Sequence, residues 1–166
     1  MPDSLPWYIL DTNIPIDLQR GGLLDALFAL GLALAAPDVL IGELVIPDGP
    51  SLVERGLRSM PLTGPEVEDV MTLATQHRAP SINDLFAFVL ARKLDATLLT
   101  GDRALRRLAA SEGVPVHGTL WLLDKMVSRT VITPTEAADA LARMLAGGSR
   151  LPAGECRARL RRWRAR

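Results

Sequence analysis

The sequence predicts an α/β fold in which helices flank a mainly parallel β-sheet. Short apolar runs of strand-like composition alternate with longer helical runs along the 166 residues, and this alternation is typical of parallel sheets with helical crossovers. The length and the 48% hydrophobic content suit one compact domain with its own core. We predict a principal part over residues 1–130 and a C-terminal helical extension over residues 131–166, packed on or beside it.

The predicted strands are apolar runs bounded by polar or turn-forming residues. The run Trp7–Leu10 combines aromatic and β-branched residues and ends at Asp11, and Thr97–Leu99 ends in the same way before Thr100-Gly101-Asp102. The full set of predicted strands is 7–10, 32–36, 57–62, 97–99 and 114–116.

The predicted helices begin at capping residues and end at glycine or proline. Asn13 is expected to cap the first helix, Asp38 the third and Ser81 the sixth, where Asp84 completes an imperfect capping box. Thr133-Pro134-Thr135-Glu136 is the strongest start signal. The predicted helices are 14–19, 23–30, 38–46, 51–56, 63–78, 82–94, 103–111, 119–129, 133–146 and 152–163.

Composition excludes several classes of protein. A single cysteine, Cys156, rules out an internal disulfide and a cysteine zinc cluster. The N-terminus has an acid at Asp3 and no basic region, so it is not expected to be a signal peptide. The apolar stretch 23–36 is shorter than the roughly 20 residues that span a bilayer. We expect a cytoplasmic protein with no membrane partner.

The net charge of zero is the sum of two segments of opposite charge. Residues 150–166 contain seven arginines and one glutamate, which gives +6, and residues 1–149 therefore carry −6. Three interpretations of this basic tail stay open. In the first, the tail contacts RNA phosphates. In the second, it packs across the acidic body of its own chain or of a dimer mate. In the third, which we favour, it is a helix that Leu151, Leu160 and Trp163 dock on the core.

Two acids follow predicted strands and are the first candidates for a site. Asp11 follows one strand directly, and Asp102 lies three residues beyond another. Because ligands bind outside the carboxyl ends of parallel strands, both acids are expected at one edge of the sheet.

Two further acids lie in apolar helical segments, Glu43 in Val39–Val45 and Asp84 in Ile82–Phe86. Burying a lone acid there is costly unless it has partners. Four converging carboxylates would need cations, and Mg²⁺ or Mn²⁺ suits a site made only of oxygen ligands. Such a site suits phosphodiester hydrolysis, in which one metal activates a water and a second stabilises the leaving oxygen.

In their order and spacing across residues 7–120, these motifs resemble the PIN-domain ribonucleases. The resemblance implies a parallel sheet flanked by helices, Mg²⁺- or Mn²⁺-dependent endonuclease activity on RNA, and products with a 5′-phosphate and a 3′-hydroxyl. It matches four residues to the acidic metal-binding and catalytic quartet: Asp11, Glu43, Asp84 and Asp102.

The resemblance also implies supporting residues and partners. Asn13 and Thr100 match polar positions that support the quartet. Asp11 would be the central metal ligand, and Glu43 would orient or deprotonate the attacking water. Many members are the toxin of a bacterial toxin–antitoxin pair, so RNA, a small antitoxin protein and a second copy of the chain are the expected partners. Residues 129–166 lie outside the resemblance.

Simpler interpretations remain for each candidate. Asp11 and Asp102 also suit helix caps, Glu43 suits a solvent-facing position, and Asp84 suits the first turn of a helix. Asn13 and Thr100 also suit partners of backbone groups. Outside the candidate site, we expect Asp17 to be a surface or turn residue and His117 to be structural or exposed.

Three other functions compete with a toxin. The chain could be a ribonuclease of RNA processing, or a non-catalytic PIN-like module, which the presence of all four acids argues against. An aspartate-nucleophile phosphohydrolase also begins with a strand ending in Asp, but it usually has a second Asp two residues later, where this sequence has Asn13.

Overall fold

In the computed structural model, residues 5–165 are described, and they form an α/β fold with a five-stranded sheet, as the sequence predicts. The strands are β1 (Trp7–Leu10), β2 (Ala33–Pro37), β3 (Arg58–Met60), β4 (Thr97–Leu99) and β5 (Val116–His117).

Ten helices flank the sheet within these described residues. They are α1 (Asn13–Arg20), α2 (Leu24–Ala29), α3 (Asp38–Glu43), α4 (Gly49–Arg55), α5 (Gly64–Gln76), α6 (Ile82–Lys93), α7 (Arg103–Ser111), α8 (Thr119–Ser128), α9 (Pro134–Ala146) and α10 (Ala153–Arg164). None of the described helices is both long enough and apolar enough to cross a membrane.

All pairings in the sheet are parallel, and the strand order is β3-β2-β1-β4-β5. Leu10 at the end of β1 pairs with Leu99 at the end of β4. The chain leaves β1 towards β2 and leaves β4 towards β5, so the two connections diverge. Such a point of divergence opens a crevice outside the carboxyl ends of the strands, where open α/β sheets bind their ligands.

Both faces of the sheet are buried, because successive side chains of each strand enter opposite cores. Ile9 and Leu98 belong to the core that contains α6 and α7, whereas Leu10 and Leu99 belong to the core that contains α1, α8 and α9. The near-continuous apolar character of the strands follows from this double burial.

Helix α10 is anchored to the second of these cores. Trp163 is 2% exposed, and Leu160 packs against the same cluster. Arg159 donates to both carboxylate oxygens of Asp124 on α8, at 2.7 to 3.2 Å. These are the contacts that a docked helix makes, and they use Arg159 for internal ion pairing. Arg166 of the basic tail and Asp3 at the N-terminus lie outside the described residues.

Three predictions about the caps and ends of α1 and α3 are wrong. Asn13 is not the cap of α1, because the structure places Thr12 at the cap position and the side chain of Asp11 accepts from the free N–H groups. Helix α3 ends at Glu43 rather than near residue 46, and Asp38 is its first residue rather than its cap.

Candidate active site

The crevice between β1 and β4 is bridged by a hydrogen bond between Thr100 and Asp11. The backbone N–H of Asp11 donates to the carbonyl of Leu99 at 3.1 Å, which continues the ladder beyond the two strands. The hydroxyl of Thr100, itself fully buried, donates to Oδ2 of Asp11. Asp11, the first residue after β1, and Thr100, the first residue after β4, therefore hold each other in place.

Asp11 is a buried acid held by backbone donors as well. Its side chain is 1% exposed, and Oδ1 accepts from the N–H of Asn13 at 3.0 Å and of Ile14 at 3.3 Å. The pKa of Asp11 is raised from 3.8 to about 7, chiefly by burial and in part by the charge of Asp84, against the lowering effect of the hydrogen bonds from Thr100, Ile14 and Asn13. In the absence of a cation, this carboxyl is therefore close to half protonated at neutral pH.

Asp102 also hydrogen-bonds to the hydroxyl of Thr100. Its backbone N–H donates to Oγ1 of Thr100 at 3.1 Å, and its Oδ1 caps α7 by accepting from the N–H of Leu105 at 2.8 Å. The interpretation of Asp102 as a helix cap is thus confirmed. The cap uses only one of its two carboxylate oxygens.

Asp84 lies in the first turn of α6. It forms the capping box that the sequence predicts, accepting from the N–H of Ser81 at 2.9 Å while its own N–H donates to the Ser81 hydroxyl at 3.0 Å. Its carboxylate is close enough to Asp11 to raise the pKa of that residue. Asp84 is therefore both a capping residue and an electrostatic neighbour of Asp11.

Glu43 lies at the rim of the site and is exposed, not buried in an apolar helix as its neighbours suggested. The side-chain amide of Asn83 donates to its Oε2 and so ties the end of α3 to the start of α6. Asn83 was not among the predicted site residues, although its position directly before Asp84 could have marked it as a candidate.

The predicted residues are thus brought together to different degrees. Thr100 links Asp11 to the backbone of Asp102, Asp84 lies near enough to Asp11 to raise its pKa, and Asn83 holds the side chain of Glu43. Asn13 contributes its backbone N–H to Asp11, while its side chain is exposed and makes no hydrogen bond among the described residues.

The prediction that Asp17 is a surface or turn residue is wrong, because it lies buried within α1. It is 7% exposed and accepts from the hydroxyls of Thr119 at 3.0 Å and Ser149 at 2.6 Å. It therefore joins α1 to α8 and to the loop before α10.

The chemistry of this arrangement is that of hard oxygen ligands. Oδ1 of Asp84, Oδ2 of Asp102 and Oε1 of Glu43 accept from no protein donor within residues 5–165. In the conformation described for those residues, no three His, Cys, Asp or Glu side chains are clustered closely enough to hold a metal ion.

The comparisons with known proteins identify the family of the chain. A family model described as a PIN domain matches residues 7–165, which includes α9 and α10. PIN domains are generally nucleases, so the match supports a hydrolase that acts on nucleic acid. No curated protein matches the chain. Since the family model covers nearly all of the sequence, the chain belongs to the PIN-domain family.

Proposed function

We propose that this chain is an endoribonuclease that requires Mg²⁺ or Mn²⁺. Its metal-binding and catalytic residues would be Asp11, Glu43, Asp84 and Asp102. The observation that carries the proposal is the buried carboxylate of Asp11, which lies at the carboxyl ends of β1 and β4, bonded to Thr100 and repelled by Asp84.

The donor set fits a hard divalent cation. Each acid at the rim keeps one carboxylate oxygen free of protein donors among the described residues, and Mg²⁺ and Mn²⁺ prefer such oxygens. The raised pKa of Asp11 points the same way, because a nearby cation would offset both the burial and the repulsion by Asp84. A bound ion would have to draw Asp84 and Asp102 closer to Asp11 than they lie in this conformation.

A bound divalent ion would lower the pKa of a water and stabilise the leaving oxygen of the phosphodiester. The residues of the chain have separate tasks. Asp11 is immobilised by three hydrogen bonds, and its carboxylate would supply a fixed negative charge when a cation is bound. Thr100 holds Asp11 and Asp102 in register. Glu43, oriented by Asn83 and open to solvent, would accept a proton from the attacking water. The expected products carry a 5′-phosphate and a 3′-hydroxyl.

The direct test is cleavage of single-stranded RNA by the purified protein. We expect cleavage with Mn²⁺ or Mg²⁺, loss of cleavage when EDTA removes the metal, and recovery when Mn²⁺ is restored in excess. Gel electrophoresis of end-labelled RNA and analysis of the product ends would measure this, with single-stranded DNA of the same sequence as the control substrate. Failure to cleave RNA with either metal, or cleavage that persists in EDTA, would contradict the proposal.

We further propose that the ribonuclease is the toxin of a toxin–antitoxin pair, acting in the cytoplasm as a homodimer held in check by a small antitoxin. The resemblance to toxin-type PIN ribonucleases supports this. Expression of the chain alone should slow bacterial growth, and the Asp11→Asn variant should not slow it. Normal growth at equal protein levels, with RNA cleavage intact, would instead favour a role in RNA processing.

A further inference from the structure

An open groove of about 1140 Å³ begins at the candidate active site. Asn13 and Asp102 lie at its start, and it continues past the carboxyl end of β5 at His117 and Gly118. Its far wall is the segment between α9 and α10, including Arg150. A chain of ligand units lying in the groove would therefore pass directly beside Asp102.

Five arginines line this groove, although the body of the protein is acidic. Two of them are already neutralised, since Arg20 lies 3.9 Å from Asp17 and Arg159 is paired with Asp124. The other three are Arg103, Arg106 and Arg150, and none has a carboxylate within 4.0 Å in the part of the chain that the structure describes. Among the described residues these three arginines are therefore not ion-paired, while three acids also line the groove, Asp17, Asp102 and Glu155.

The position of Arg106 is defined by its neighbours. A Cβ atom added to Gly118 would lie 3.0 Å from Nη1 of Arg106, so the guanidinium covers the glycine directly after β5. This places the charge over the floor of the groove. A side chain at position 118 would displace it.

Two aromatic side chains also line the groove. The rings of His117 and Trp121 are stacked with centroids 4.2 Å apart and an angle of 4° between their planes. Positive charges that follow a groove beside aromatic side chains are features by which proteins hold single-stranded nucleic acid.

We propose that this groove binds the backbone of single-stranded RNA, with phosphates contacted by Arg103, Arg106 and Arg150. The inference deepens the proposed ribonuclease function and rests on it. Carboxylates at the active site repel a polyanion, and the arginines beside them supply the attraction that positions it. The substrate would enter along β5 and the loop before α10, and present one phosphodiester at Asp102.

The test is binding in the absence of cleavage. The Asp11→Asn protein in EDTA is titrated with a short fluorescently labelled single-stranded RNA, and anisotropy gives Kd at several salt concentrations. Adding Arg106→Gln or Arg150→Gln should weaken binding at least about threefold at low salt, and should reduce the slope of log Kd against log salt by about 0.7 for each phosphate that is no longer neutralised. Arg107→Gln is the matched control, because Arg107 is adjacent on α7, exposed and outside the groove.

The outcomes separate the two proposals. If Arg106→Gln and Arg150→Gln bind RNA as tightly as Arg107→Gln does, the groove proposal is overturned, whether or not the wild type cleaves RNA. If the groove variants lose affinity but the wild type never cleaves RNA, the groove proposal stands and the ribonuclease proposal fails. If polyglutamate binds with the same dependence on the arginines and RNA does not bind, the groove takes an acidic protein and the RNA proposal is overturned.

Discussion

Replacement of Asp11 by asparagine is expected to reduce the rate of RNA cleavage by about a hundredfold to a thousandfold. Asparagine preserves the size of the side chain and an oxygen that can accept from the N–H groups of Asn13 and Ile14. It removes the negative charge at the one position where the carboxylate is buried between β1 and β4. The loss should therefore appear in kcat at saturating Mn²⁺, and not as a loss of folded protein.

The matched control is Asp139→Asn. Asp139 is exposed on α9 and has no ion-pair partner among residues 5–165, so the substitution makes the same chemical change away from the site. It should leave cleavage unchanged. If Asp11→Asn cleaves RNA at the rate of the control, Asp11 has no part in catalysis and the assignment of the site is wrong.

The stability of the metal-free protein is expected to fall as the pH rises towards 7, and Asp11 is the cause. Its pKa is about 7 in the folded protein against 3.8 for the ordinary group, so the folded state binds the proton more tightly. The stabilisation linked to this proton is complete below about pH 4 and is lost as the pH rises through 7. The difference between the two pKa values corresponds to at most about 4 kcal/mol of unfolding free energy.

Urea denaturation between pH 4.5 and pH 8 in the presence of EDTA would measure this dependence. The Asp11→Asn variant should be more stable than the wild type at pH 8, and the two should converge at low pH. Addition of Mn²⁺ at pH 8 should narrow the gap by stabilising the wild type. The control Asp139→Asn should follow the wild-type curve at every pH. If Asp11→Asn also follows it at every pH, the fold does not raise the pKa of Asp11.

Much of the fold could be predicted because the local signals and the tertiary packing agree. Strands β1 and β4 have the predicted bounds, and α7 begins after the predicted cap Asp102. The exceptions arise where two neighbouring side chains can both cap the same helix, and the sequence does not show which of them does so. Asn13 is a good capping residue by type, but the carboxylate of Asp11 reaches the free N–H groups at the start of α1 in its place.

The candidate site was only partly accessible from the sequence. The four acids could be chosen because two follow strands and two interrupt apolar helices. Asn83 was not chosen, because its hydrogen bond with Glu43 joins residues 40 positions apart. Asp17 was misjudged for the same reason, since its partner Ser149 is 132 residues away.

By itself, the sequence determined the alternation of strands and helices, the residues that follow each strand and the resemblance to the PIN-domain family, because hydrophobic periodicity and capping act over a few residues. The tertiary structure alone decided that β1 lies beside β4, which joins Asp11 to Thr100 and gives Asp11 its raised pKa. It also gathered Arg103, Arg106 and Arg150 along one groove. Strand order and burial arise from contacts between distant segments, and no local pattern of residues encodes them.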